Sequence, residues 1–137
     1  MSLLKQSRRI LIHNGVYSST QTSPQERNAH HHFARFFVDV KSVSGTGGLT
    51  LNVRAYSWDG VTATNGEAMG NPGIILTAPA AVTATGVFIY ELALYPQGAS
   101  GAVQLTVARF LPVYWDVQVT HADGSNYTYS VSVELFS

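Results

Sequence analysis

At 137 residues the chain is the size of one domain, since a second independent core would leave each half too small to be stable. Hydrophobic residues make up 45% and charged residues only 12%, with a formal net charge of zero, which argues against a disordered chain and against nucleic-acid binding. There is no cysteine, so disulfides, thiolate metal sites and cysteine nucleophiles are excluded together.

Residues 1–35 carry Lys5, Arg8, Arg9, Arg27 and Arg35 against Glu26 alone, so the remainder of this neutral chain is net acidic. That asymmetry could draw the N-terminal part of one copy to the body of another. A surface so poor in charge suits a subunit held in an assembly, and a homo-oligomer, dimer or trimer, is expected. The apolar runs fall short of the roughly 18 residues that span a bilayer, and the start lacks the apolar core of a signal peptide. The expectation is a soluble, unexported chain with no membrane partner.

From Leu4 to Val16, Ile10 and Ile12 alternate with Leu11 and His13. The expectation for this stretch is an arm within residues 1–30 that docks elsewhere through Lys5, Arg8, Arg9, Ile10 and Ile12, with a first strand of the domain as the competing reading. Ser23-Pro24-Gln25-Glu26 resembles a helix start, worth one turn at most. Phe36, Val38 and Val40 then face one way and Arg35, Asp39 and Lys41 the other, up to the glycine-rich stretch from Ser44 to Gly48. Leu49, Leu51, Val53 and Ala55 alternate with Thr50, Asn52, Arg54 and Tyr56, which predicts a hairpin with the preceding strand and a stop at Asp59-Gly60.

Val61 to Gly73 is polar and rich in turn residues and predicts a long surface loop. Gly73 to Thr77 and Val87 to Tyr95 are further strands, the second with Phe88, Tyr90, Leu92 and Leu94 on one face and Glu91 on the solvent side. Val113, Trp115, Val117 and Val119 alternate with Tyr114, Asp116, Gln118 and Thr120. The strongest alternation, Tyr127 to Leu135, ends the chain, and Asp123-Gly124 predicts a hairpin turn between these two runs.

The regular strands and turns predict an all-β, antiparallel two-sheet β-sandwich, jelly-roll or immunoglobulin-like, over 1–137 as a single domain. Val38, Val40, Leu51, Val53, Leu92, Val117, Val131 and Val133 are its expected core.

Residues that could carry chemistry are few. His30 and His32 would share a face of an extended segment at a metal-compatible spacing, but no acidic residue or further histidine lies near enough to complete a ligand set. His121, Asp123 and Ser125 have the letters of a hydrolase triad on one short turn, where the relay geometry is hard to form, and no nucleophile elbow is present. No local spacing singles out a carboxylate pair. Tyr56, Trp58, Tyr114 and Trp115 could form a sugar platform, although such residues in a sandwich more often serve as core or interface anchors. No catalytic residue, cofactor or metal is expected, and the chain reads as a non-enzyme.

Leu111-Pro112-Val113-Tyr114-Trp115, followed by His121-Ala122-Asp123 and Thr128-Tyr129-Ser130-Val131, resembles a small protein of tailed-phage and prophage virion-gene clusters. The resemblance extends to Phe36-Phe37-Val38-Asp39-Val40, Gly47-Gly48-Leu49-Thr50-Leu51-Asn52-Val53 and Leu94-Tyr95-Pro96. Relatives tend to have arginine beside the tryptophan, where this chain has Val113 and Asp116. The resemblance implies a virion component similar to capsid decoration or cement proteins, which binds the major capsid protein on the particle surface and is assembled in the host cytoplasm. The alternative is a carbohydrate-binding or tail-associated adhesion module. Candidate interface residues are Lys5, Arg8, Arg9, Ile10, Ile12, Trp58 and Tyr114.

Overall fold

The structure, a computed structural model, describes residues 6–28, 30–56, 72–94 and 103–137. Ten strands and no helix occur among them: β1 (Gln6–Tyr17), β2 (Gln21–Thr22), β3 (Glu26–Arg27), β4 (Phe33–Val43), β5 (Leu49–Tyr56), β6 (Pro72–Thr77), β7 (Gly86–Leu92), β8 (Val103–Val107), β9 (Tyr114–His121) and β10 (Tyr127–Phe136). They form two five-stranded sheets. One has the order β1-β10-β4-β7-β8; the other has the order β2-β9-β5-β6, with β3 also on β9.

The pairings nest. β1 pairs with β10, β2 and β3 with β9, β4 with β7, and β5 with β6, all antiparallel. A long two-stranded ribbon folded over so that its halves become two facing sheets is the jelly-roll arrangement, which fits this strand order where the immunoglobulin order does not. Among the described strands, the one departure from an antiparallel sandwich is β8, which adds to β7 in parallel. Its alternating Val103, Leu105 and Val107 were not singled out in the sequence.

Both predicted hairpins are corrected. β4 pairs with β10 and β7 while β5 pairs with β9 and β6, so Ser44–Gly48 crosses from one sheet to the other, and so does the turn between β9 and β10. Alternation marks which side chains face inward and is blind to which strand lies alongside. Nor does Gly124 adopt the positive φ of a tight hairpin; among the described residues only Gly48 (φ 86°) and Gly86 (φ 141°) do.

The two crossings lie against each other. Ser44 Oγ donates to the Asn126 carbonyl (2.7 Å) and accepts the Asn126 N–H (2.9 Å), and the Ala122 N–H reaches the Gly48 carbonyl (3.1 Å). The fit is close: a Cβ on Gly45 would stand 2.5 Å from the Ser125 side chain.

All eight expected core residues are buried, within one cluster drawn from both sheets. Trp115 and Phe36 meet edge to face across it at 5.7 Å. Each large apolar side chain removed from water contributes about 1.5–3 kcal/mol.

The expected docking arm is corrected for the described residues, which form a strand of the domain. β1 runs the length of β10, with irregularities at Ile10/Ile12 and Ile12/Gly15 that turn both Leu11 and Ile12 inward. Burying two consecutive apolar residues needs such a bulge, because a regular strand would send one of them to solvent. The helix-like Ser23-Pro24 instead links β2 and β3. Ser23 Oγ accepts the Val117 N–H at 3.0 Å, and the Ser23 N–H donates to the Val117 carbonyl at 2.9 Å, so the hydroxyl stands in for a missing strand carbonyl.

Candidate interaction surfaces

One end of the sandwich carries a cluster of exposed aromatic and apolar side chains. Phe110, on the loop between β8 and β9, is 60% exposed and stacks on Phe33 of β4 (5.7 Å, 23°), with the exposed His32 edge-on at 5.9 Å. A shallow groove beside them is lined by Asn28, His30, His31, His32, Leu111 and Val113. Val113 is itself 56% exposed, whereas Leu111 is buried and anchors the loop.

Asn28 staples this end. Its Nδ2 donates to the carbonyls of His31 (2.5 Å) and Leu111 (3.2 Å), its Oδ1 accepts the His31 N–H (2.9 Å), and its backbone N–H donates to the Val113 carbonyl (2.6 Å). The Leu111 N–H reaches the His32 carbonyl (2.6 Å), and the His32 N–H reaches the Phe136 carbonyl (2.8 Å). The exposed rings therefore stand on a backbone fixed by hydrogen bonds from several elements. Groups held this way lose little conformational freedom when a partner covers them.

The second surface is the outer face of the sheet containing β10. Register places Arg8, Glu134, Arg35 and Glu91 side by side across β1, β10, β4 and β7, a row of alternating charge ending at Thr106 of β8. Arg35 Nε lies 3.0 Å from Glu91 Oε2, Thr106 Oγ1 donates to Glu91 Oε1 (3.0 Å), and Arg8 lies 3.8 Å from Glu134. Glu91, expected on the solvent side, does project outward from the sheet, but it is buried at 1% exposure. Carboxylate burial is tolerable because the guanidinium and hydroxyl replace its water.

The neighbouring row reads Ile10, Ser132, Phe37, Ile89 and Val103. Small Ser132 between Ile10 and Phe37 makes a shallow notch, with Arg8 and Glu134 on its rim. On the opposite sheet Arg54 and Asp116 form a bidentate pair (2.8 and 2.7 Å), and the Tyr56 hydroxyl donates to Asp116 (2.5 Å). That contact raises the Arg54 pKa, the hydrogen bond to Asp116 being the main cause.

Sequence-selected residues scatter over these features. Arg8 is in the charged row, Arg9 pairs with Glu26 at 2.7 Å, and Ile10 is 59% exposed on the outer face. Ile12 is corrected from interface to core, at 6% exposure. Tyr114 opens β9 opposite Arg27 and is half-buried. Lys5, Trp58, the Asp59-Gly60 stop and residues 61–71 of the predicted loop lie outside the described residues, while Pro72 and Gly73, placed in that loop from sequence, belong to β6. Trp115 is buried at 1% exposure and Tyr56 is engaged with Asp116, so these two do not join an exposed sugar strip.

His121 Nε2 lies 2.9 Å from the Tyr129 hydroxyl, while Asp123 accepts from Gly47, Ser125 and Tyr127, so the three letters of the triad do not form its relay. No group of three or more His, Asp or Glu placed to hold a metal occurs among the described residues.

Phe110 and Asn28 were missed by sequence reading. The available signal was Phe110 beside Leu111, two large apolar neighbours in a stretch with no alternation, of which only Leu111 is buried.

In comparisons with known proteins, the chain matches no protein-family model, no curated sequence and no solved structure.

Proposed function

We propose that this chain is a structural subunit of a tailed-phage virion, a decoration or cement protein that binds the major capsid protein shell and stabilises it by contact, turning over no substrate. The observation that carries this reading is the Asn28-stapled aromatic end, where Phe110, His32 and Val113 are exposed together on a fixed backbone. Contiguous exposed aromatics of this kind are the usual anchors of protein interfaces.

Two features support it. Jelly rolls recur in capsid proteins, although lectins and cupins share the architecture. The buried carboxylates Glu91 and Asp116 each have an arginine partner that neutralises them in place, which is a structural use of charge. Neither nucleic acid nor a membrane is a partner in this reading.

The test is co-purification with intact particles. The wild-type chain is expected on the capsid, and Phe110→Asp is expected to lose it while keeping its circular dichroism and melting temperature. Absence of the wild-type chain from particles would overturn the proposal. Glycan binding that disappears in Phe110→Ala would replace it with the carbohydrate-binding or tail-associated module.

A further inference from the structure

We propose that the outer face of the β10-containing sheet binds a second copy of this chain, face to face, about a two-fold axis running along the strands between β10 and β4. This rests on the geometry of that sheet alone and not on the virion reading.

The argument comes from register. Three outward-facing pairs with accessible members cross the β10–β4 boundary: Glu134 with Arg35, Ser132 with Phe37, and Ser130 with Asp39. A two-fold axis lying along that boundary places each member of a pair over the other member in the second copy. Carboxylate then meets guanidinium, the Ser132 notch meets the Phe37 ring, and a hydroxyl meets a carboxylate.

One axis satisfies all three pairs, and it extends outward, placing the exposed Ile10 of β1 over the half-buried Ile89 of β7. Two copies of a row of like charge could not stack this way. Sheets facing each other at about 10 Å interdigitate their side chains, and a ring opposite a serine is the relief that such packing needs.

The sheet edge is a poorer place for a second copy. β1 carries the exposed Arg8 and is bent by two irregularities, features that discourage strand-to-strand addition. Three rows on four strands cover roughly 400 Å² per copy by standard strand spacings, below the roughly 800 Å² of a stable interface. The pair should therefore be a weak, reversible dimer.

Sedimentation equilibrium of the full chain, without particles, tests this up to about 500 μM, a range that reaches weak association. The mass should rise toward the dimer with concentration. Ser132→Trp, which fills the notch without touching the core, should weaken association at least about tenfold, the size of a clash at a packed interface, with the melting temperature unchanged. Phe37→Ser should do the same. The double exchange Ser132→Phe with Phe37→Ser should restore the dimer, because the axis swaps the two positions. A monomer at every concentration overturns the proposal. So does a dimer indifferent to Ser132→Trp, or a folded double exchange that stays monomeric.

Discussion

Asp123 Oδ2 accepts the backbone N–H of Gly47 at 2.8 Å, joining the two chain crossings between the sheets. The same carboxylate takes the Ser125 N–H (3.2 Å) and the Tyr127 hydroxyl proton (2.9 Å), while the Tyr127 oxygen accepts the Gly48 N–H (3.0 Å). These donors, the Gly47 amide first, hold the Asp123 pKa below its usual 3.8. Asp123→Ala should lower the melting temperature and speed amide hydrogen exchange at Gly47 and Ser125, leaving the middle of β4 protected. Unchanged exchange at Gly47 would mean the staple carries no weight.

Acid should act on this region in two windows. Burial lowers the His121 pKa below its ordinary 6.5, against a smaller opposing pull from Asp123, and its Nδ1 has no hydrogen-bond partner among the described residues. The unfolded chain therefore binds this proton more readily than the folded one, and stability falls as pH drops below about 6.5. Asp123 contributes above its unfolded value and loses that contribution as pH falls below about 3.8. In His121→Phe, urea melts should lose the first window and keep the second; a wild-type profile flat between pH 7 and pH 5 would contradict the assignment.

The Arg54–Asp116 pair separates breaking a charge pair from replacing it. Asp116 is 2% exposed, so Asp116→Ala leaves the guanidinium without its carboxylate and should cost roughly 3–5 kcal/mol in chemical denaturation. Replacing both residues, Arg54→Met with Asp116→Leu, should cost far less. Equal losses in the two proteins would show that the pair is not the source of the effect.

Ile10 and Ile12 test the register of β1. Ile12→Ala removes a buried side chain and should cost about 2–4 kcal/mol, whereas Ile10→Ala on the outer face should stay within about 0.5 kcal/mol. An arm docked elsewhere predicts small losses at both. Denaturation midpoints of the isolated protein distinguish the two.

Inward-facing residues were legible because alternation is local: Val38, Leu51, Val117 and Val131 each announce their face through their immediate neighbours. Which strand lies beside which was not, because a crossing between sheets and a hairpin use the same glycines and polar residues. Consecutive Leu11 and Ile12 are both buried only because β1 bulges against β10, a condition that no short window contains. Glu91 read as solvent-facing for the same reason, since Arg35 and Thr106, which share its burial, are brought alongside by pairing. The site followed this pattern more strongly: Asn28 reaches Leu111 across 83 positions, and nothing near either residue declares the staple.

The nested ribbon also sets an order of assembly in time. Gln6 lies opposite Phe136, so the outermost pair closes almost the whole chain into a loop, while β5 and β6 are the innermost pair. Closing distant segments directly is slow, but each inner pair shortens the loop left for the next. Folding that zips outward from β5 and β6 would bring β1 onto β10 last, leaving the row from Arg8 to Glu91 incomplete until the final step. A circular permutant with its present ends joined and the chain opened between β5 and β6 should reverse that sequence, making β1 and β10 neighbours from the start and β5 and β6 the late arrivals.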